Sequence, residues 1–211
     1  MKPVLITAGA TRNPVDSMRY ISAHATGRTG STLATRLVNH THVTALCSPL
    51  ALCHMPNNIT SEVFESTADL MQKMKAWIQK NPDSVIIHSA AVGDYEVQQA
   101  ATQTKIPSGQ GAITITLRPT PKILDHIQEW SANATVISFK AAAPSITGHA
   151  LQELAKTQLL RSRSRLVFAN TIGSIGRKVL LVTENDTHTY QAREQAIEAL
   201  ANQVLTYIAE V

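Results

Sequence analysis

The chain has 211 residues, 44% of them hydrophobic, which is enough for one domain with a sizeable buried core. Its formal charge is +4, but aromatic residues make up only 4% and the basic residues are scattered. We therefore expect small anionic ligands and no nucleic-acid partner. Two cysteines are too few for a disulfide framework and predict free thiols. No apolar run approaches a membrane span and none resembles a signal peptide, so we expect a soluble, cytoplasmic protein without a membrane partner.

Short apolar runs alternate with longer segments of helical periodicity. In chain order the sequence predicts strand 3–7, helix 31–40, strand 43–46, helix 67–80, strand 84–90, helix 121–130, strand 135–141, helix 148–160, strands 165–170 and 178–183, and helix 193–211. This alternation predicts βαβ units and a Rossmann-like, doubly wound α/β fold with a mostly parallel sheet. Ligands would then bind beyond the carboxyl ends of the strands.

Residues 96–120 interrupt this alternation. A polar stretch containing glycine and proline precedes ITITL (113–117), whose period of two is typical of a strand. We predict a β-hairpin flap or arm over about 96–120 that projects from the sheet, within a single domain that spans 1–211.

The first strand is followed by Gly9, which raises the question of a dinucleotide fingerprint. The pattern fails because Gly27 and Gly30 come after a long loop instead of packing as G-x-G-x-x-G. The second strand is also not followed by the acid that would bind a ribose hydroxyl. A nicotinamide-dependent oxidoreductase is therefore disfavoured, and so is a P-loop NTPase, whose consensus is missing from the sequence.

The stretch ATGRTG (25–30) lies just before a predicted amphipathic helix. Gly27 and Gly30 would let a phosphate approach the free N–H groups at the helix N-terminus, and Arg28 would add a planar fork of donors. The alternative is that the two glycines only shape a turn.

Six blocks follow one another in order: ITAGATRNPVDSMRYISAHATGRTG, HSAAVGDY, TKIPSG, LRPTPKIL, ISFKA and LVFANT. Together they resemble the phosphopantothenoylcysteine synthetases, ligases of coenzyme A biosynthesis, over essentially the whole chain and in the stand-alone bacterial form. The resemblance implies a homodimer that joins 4′-phosphopantothenate to cysteine, with CTP, or ATP as the alternative, as co-substrate. It also implies that the flap serves dimerisation and the active site. Mg²⁺ would accompany the triphosphate. The carboxylate would first become an acyl nucleotide, which the amine of cysteine then attacks.

The resemblance also implies roles for individual residues. Lys105 matches the flap lysine and is the expected catalyst, because a mobile ammonium can neutralise charge that develops on the phosphorus oxygens. Arg19 would reach the phosphate of phosphopantothenate in the neighbouring subunit's site. The other substrate residues would be Ala90, Ala91 and Asp94, and the nucleotide residues Gly9, Ala25, Gly27, Arg28, Gly30, Phe139, Asn170 and Arg161. For each of them a structural role, as turn glycine, core aromatic, helix cap or surface charge, is the competing interpretation. His24 and His88 are assigned to structure or surface.

The chain departs from the family pattern at the position tied to the second half reaction. Ala23 stands where the family has an asparagine, and a methyl group cannot donate a hydrogen bond to an acyl carbonyl or oxyanion. Losing such a donor costs about 2.7–4 kcal/mol of barrier. Asn13, Ala25 and Thr171 depart from the pattern as well.

Three explanations of these departures remain open. In the first, the protein is an authentic synthetase in which His24, a backbone amide or a water supplies the donor. In the second, Ala23 is an introduced substitution that halts the reaction at the acyl nucleotide. The third is a diverged relative, which acts on another carboxylate or binds coenzyme A precursors as a sensor.

Overall fold

The computed structural model describes residues 1–100, 103–109, 111–173 and 178–210. Its strands are β1 (Val4–Ala8), β2 (Arg12–Pro14), β3 (Tyr20–Ser22), β4 (Val43–Cys47), β5 (Thr60–Val63), β6 (Val85–His88), β7 (Tyr95–Val97), β8 (Leu117–Pro119), β9 (Thr135–Ala142), β10 (Leu166–Thr171), β11 (Val179–Val182) and β12 (Thr187–Tyr190). Its helices are α1 (Arg28–Leu37), α2 (Pro49–Leu52), α3 (Thr67–Lys80), α4 (Ile123–Trp130), α5 (Gly148–Ser162) and α6 (Arg193–Ala209).

Eight strands form one sheet in the order β12-β11-β10-β9-β6-β1-β4-β5. The six strands from β10 to β5 pair in parallel, in the order of a Rossmann fold, whereas β11 and β12 extend the sheet by antiparallel pairing. The predicted doubly wound, mostly parallel sheet is thereby confirmed. Strand order reverses between β1 and β6, so the loops after these two strands border the crevice where ligands of such sheets bind.

Helices cover both faces of the sheet because its central strands alternate between two apolar cores. β1 directs Val4 and Ile6 towards a core shared with α1 and α6, and Leu5 towards a core shared with α3 and α4. Helix α5 packs on the far part of the sheet through a third cluster. Burial on both faces explains why the strand segments of the sequence are continuous apolar runs.

The predicted flap forms a hairpin only at its base. β7 pairs antiparallel with β8, and one further bond joins the Gln98 N–H to the Thr116 carbonyl at 3.0 Å. The strand predicted over ITITL is wrong except at Leu117, where β8 begins. Within the described part of the flap no partner strand faces residues 113–116, so their alternation has no ladder to join.

Cys47 and Cys53 are both free, as predicted. Cys47 lies in the buried strand β4, and burial raises the pKa of its thiol to about 11. In the described ranges no helix is both long enough and apolar enough to cross a membrane.

Candidate functional site

Gly9 and Gly27 lie side by side, although residues 10–26 separate them in sequence. Both have positive φ, 93° and 80°, and a Cβ on Gly27 would lie 3.1 Å from the Gly9 nitrogen. Gly30 lets α1 approach β1, because a Cβ there would lie 2.6 Å from the Cβ of Ala8. Tight turn, close backbone approach and helix-on-strand packing are the three roles of the dinucleotide glycines. The sequence lacks the G-x-G-x-x-G spacing, yet the fold brings Gly9 and Gly27 together across residues 10–26.

The N-terminus of α1 offers backbone donors at the carboxyl edge of the sheet. Gly27 is its N-cap and has no side chain to cap it, and its carbonyl accepts the first helical bond, from Ser31. The earlier N–H groups of a helix have no partner within it. Near these N–H groups, Arg28 is exposed and Ala25 is half-buried. This geometry suits the predicted phosphate loop, which stays a prediction.

An aromatic pair lies on the sheet face that α1 covers. Phe139 of β9 stacks on Phe168 of β10 with ring centroids 4.9 Å apart, and the two residues are register partners. Asn170, two residues beyond Phe168, shares its face and lies one step nearer the carboxyl edge. Two of the predicted nucleotide residues, Phe139 and Asn170, therefore share the α1 side of the sheet.

Arg193 connects this aromatic pair to α1, and no motif in the sequence pointed to it. It is the first residue of α6, its Nη2 donates to Thr29 Oγ1 at 2.9 Å, and its guanidinium carbon lies 5.0 Å from the Phe168 ring centroid. Burial lowers the pKa of Arg193. The sequence predicts a helix from residue 193, but it gave no sign of the polar strand β12 that places this helix start at the carboxyl edge.

The loop after β6 is bonded to the loop after β1. The Ala90 N–H donates to Thr7 Oγ1 at 3.1 Å, and the Ala91 N–H donates to the Gly9 carbonyl at 2.8 Å. The Ala91 carbonyl in turn accepts from the Thr11 N–H. The family resemblance implies that backbone groups at these small residues face substrate, but the neighbouring loop already satisfies the three of them. The two alanines therefore shape the crevice without presenting these three groups to it.

His88 has the structural role that the sequence suggested. Its Nδ1 lies 2.9 Å from Thr7 Oγ1, the hydroxyl that accepts the Ala90 N–H. That hydroxyl has one proton, which we assign to the bond with Nδ1, and this leaves the ring proton on Nε2. Complete burial lowers the pKa of His88 to about 4. His24 is exposed.

Two predicted ligands have partners within the chain. Asp94 is exposed after β6 and forms an ion pair with Lys122. Arg161 pairs with Asp125 at 2.7 Å from the last turn of α5. Because α5 starts after the carboxyl end of β9 and ends before β10 begins, this turn lies at the opposite edge of the sheet. The structure does not bring Arg161 to the other nucleotide residues.

Asp16 is a buried carboxylate that the sequence did not single out. It accepts backbone N–H bonds from Met18, Arg19 and Ile106 at 2.8–3.0 Å and forms an ion pair with the Arg19 guanidinium. The Arg19 side chain, followed by these backbone donors, holds the pKa of Asp16 well below its usual range, and burial opposes them only in part. Arg19 also donates to the Ile106 carbonyl at 2.8 Å, so in the single chain its guanidinium faces the flap.

Lys105 lies between two attachment points of the flap. On one side the Thr104 carbonyl accepts from the Ser17 N–H at 3.1 Å, and on the other Ile106 bonds to Asp16. Lys105 itself is exposed. The flap backbone is thus fastened to the loop between β2 and β3 while its lysine reaches into solvent beside Arg19.

Over the described ranges, no group of three or more His, Cys, Asp and Glu residues is placed to hold a metal ion.

Comparison with known proteins identifies the family. The family model described as DNA/pantothenate metabolism flavoprotein C-terminal domain matches residues 1–211. The Coenzyme A biosynthesis bifunctional protein CoaBC of Thermococcus kodakarensis is 32% identical over 180 residues, which cover 83% of this chain and 42% of the relative. The Haemophilus influenzae protein of the same name is 29% identical over 184 residues, 86% of this chain and 43% of the relative. The chain thus spans less than half the length of these two relatives.

Among solved structures, the DNA/pantothenate metabolism flavoprotein from Streptococcus pneumoniae superposes with a TM-score of 0.87 at 26% identity, covering 98% of this chain and 100% of that one. The C-terminal domain of a CoaBC protein has a TM-score of 0.77 at 22% identity, covers 97% of this chain and 94% of that one, and supports the fold alone. The chain belongs to the DNA/pantothenate metabolism flavoprotein C-terminal domain family, which confirms the resemblance to the phosphopantothenoylcysteine synthetases.

Proposed function

We propose that the chain is a nucleotide-dependent ligase of coenzyme A biosynthesis that joins 4′-phosphopantothenate to cysteine in the cytoplasm. The observation that carries the proposal is the glycine constellation of Gly9, Gly27 and Gly30 at the switch point of the sheet, in a chain whose relatives are named for coenzyme A biosynthesis. The lysine-bearing flap is fastened at Asp16 and Ser17 to the segment that joins Gly9 and Gly27.

In the first half reaction a carboxylate oxygen of phosphopantothenate attacks the α-phosphorus of CTP, and pyrophosphate leaves. The N-terminus of α1 stabilises negative charge on the phosphates, and Lys105 neutralises charge that grows on the phosphorus oxygens. In the second half reaction the cysteine amine attacks the acyl carbon, CMP leaves with the bonding electrons, and the amine loses a proton. Mg²⁺ enters with CTP, and ATP is the alternative nucleotide.

A homodimer completes the site in this proposal. Large apolar side chains are exposed together on the two small sheets and the flap: Met18, Tyr20, Tyr95, Ile113, Ile115 and Leu117. Exposed apolar surface of this kind marks interaction sites, and a second copy would cover it. Pairing would also bring Arg19 to a neighbouring site. Sedimentation at micromolar concentration tests this, and a monomer would remove the role given to Arg19.

The decisive test is mass spectrometry of the protein with MgCTP, phosphopantothenate and cysteine, repeated without cysteine and with ATP. An acyl-cytidylate that forms without cysteine and gives way to the cysteine adduct when cysteine is added supports the ligase. Detection of neither an acyl nucleotide nor pyrophosphate with either nucleotide contradicts it.

Ala23 favours a second candidate, a diverged binding protein or a ligase for another carboxylate. Ala23 is exposed in the loop between β3 and α1 and offers only a methyl group there. The Ala23→Asn variant separates the candidates. If the missing amide limits the second half reaction, the variant forms the adduct about 100-fold faster than the unmodified chain. Ligand-dependent thermal stabilisation without turnover in either protein would favour the binding protein.

A further inference from the structure

Arg193 carries a charged group that its surroundings satisfy only in part. Its Nη2 bonds to Thr29, but Nη1 is buried and has no hydrogen-bond partner among the residues that the structure describes. None of the ion pairs found in those ranges includes Arg193. The guanidinium carbon also lies over the Phe168 ring, 5.0 Å from its centroid.

Such an arrangement is unfavourable unless a ligand completes it. A buried donor without an acceptor keeps its full desolvation cost, and the cost is greater for a charged group. A guanidinium presents a rigid planar fork that matches the oxygens of a phosphate. The unpartnered Nη1 therefore indicates that an anion binds here.

The position of Arg193 indicates which anion it binds. Thr29 lies in the first turn of α1, between the two glycines of the proposed phosphate loop. Phe168, under the guanidinium, stacks on Phe139, which the family resemblance places beside the nucleotide base. The guanidinium thus lies between the expected positions of the phosphates and the base. We propose that Arg193 binds a phosphate group of the nucleotide substrate, an inference that rests on the proposed function and adds a ligand residue to it.

Titration calorimetry with MgCTP, without the other substrates, tests the proposal on the whole chain. Arg193→Met should weaken MgCTP binding by about tenfold or more, the loss typical of a charged hydrogen bond. Cytidine, which has no phosphate, should bind equally to both proteins. Arg193→Lys should recover part of the loss, because it restores the charge without the planar fork. In the steady state KM for CTP should rise while KM for phosphopantothenate stays unchanged.

Arg165 offers a matched control. Its guanidinium carbon lies 4.5 Å from the Tyr207 ring centroid near the other end of α6, but Glu210 pairs with it at 2.8 Å. Arg165→Met should lower stability and leave MgCTP binding unchanged.

The outcomes separate the two proposals. If Arg193→Met loses stability but binds MgCTP like the unmodified chain, Arg193 only ties α6 to α1 and the inference is overturned. A rise in KM for phosphopantothenate alone would assign the arginine to the other phosphate and also overturn it. An unmodified chain that neither binds MgCTP nor forms an acyl-cytidylate contradicts the proposed function, and the assignment of a nucleotide to Arg193 fails with it.

Discussion

The glycine loop and the flap contribute to the same edge of the sheet, but different forces hold them. Gly27 and Gly111 both have left-handed backbones, with φ of 80° and 72°. A Cβ on Gly27 would lie 2.3 Å from the Cβ of Ala51, whereas one on Gly111 would meet no described atom within 4 Å. The loop is therefore shaped by close packing, and the flap by backbone freedom and a few polar bonds.

This difference indicates which changes each region tolerates. The loop is continuous with β1 and α1, whose inward side chains are buried, so there is no space for a larger side chain. The flap is fastened through the Asp16 carboxylate and the β7–β8 base, so it should accept volume but not the loss of a charge or an acceptor.

The largest effect we expect comes from the flap lysine. Lys105→Met should slow acyl-nucleotide formation by about 100- to 1,000-fold, because a charge aimed at the developing phosphorus oxygens is lost. Since Lys105 is exposed, the free energy of unfolding should change by less than about 0.5 kcal/mol. Rapid-quench measurement of pyrophosphate release checks the rate. Lys75→Met, an exposed lysine of α3, is the control, and equal rates in the two variants would exclude Lys105 from catalysis.

Glycine substitutions test the loop directly. Gly27→Ala should cost about 3 kcal/mol of stability, from positive φ together with overlap against Ala51. Gly111→Ala has the same backbone problem in open space and should cost about 1 kcal/mol. Urea unfolding of both variants gives the difference. Similar costs would show that backbone strain accounts for both losses and that close packing does not set the loop apart from the flap.

Sequence reasoning correctly predicted those strands whose own residues show the hydrophobic pattern of a buried strand. Strands β1, β4, β6, β9 and β10 are apolar runs buried by helices on both sides, so their pattern sufficed. The polar edge strands TSEV of β5 and THTY of β12 have no such pattern and were missed. ITITL had the pattern but no partner strand.

The sequence singled out residues of the candidate site by type, but it did not reveal the contacts between them. Gly9 and Gly27 were singled out, yet their meeting depends on the path of residues 10–26, which local pattern does not encode. The bond from Ile106 to Asp16 spans 90 residues and that from Arg193 to Thr29 spans 164. Partners this distant become visible only in the folded chain.

His88 makes the stability of the folded chain depend on pH. Its pKa is about 4 in the folded chain, against an ordinary histidine value of 6.5, so between these values the unfolded chain binds more protons. Stability is therefore intact above about pH 6.5 and falls as the pH drops towards 4, with a loss of about 2 kcal/mol at pH 5. Urea unfolding at pH 7.5 and pH 5 measures this loss. His88→Asn should remove that part of the pH dependence, and an unchanged dependence would mean that His88 does not titrate on unfolding.

Asp16→Asn should have the smallest effect, and it acts on the flap alone. If the amide nitrogen takes the place of Oδ2, the Ile106 N–H and the Arg19 guanidinium both lose their acceptor. If it takes the place of Oδ1, the backbone N–H groups of Met18 and Arg19 lose theirs. We expect about tenfold slower acyl-nucleotide formation and faster proteolytic cleavage near Lys105, with a smaller fall in the urea midpoint than Gly27→Ala causes, because the main cores are untouched.

Glu96→Gln is the matched control for this variant, since it removes an exposed ion pair with Arg118 at the base of the same flap. Exposed pairs contribute little, so the control should behave like the unmodified chain. If Asp16→Asn instead lowers the urea midpoint as much as Gly27→Ala does, the carboxylate supports the whole fold. The contrast between a packed loop and a tethered flap would then fail, because one polar group would stabilise both regions. If only the rate and the cleavage change, attachment of the flap backbone is what positions Lys105.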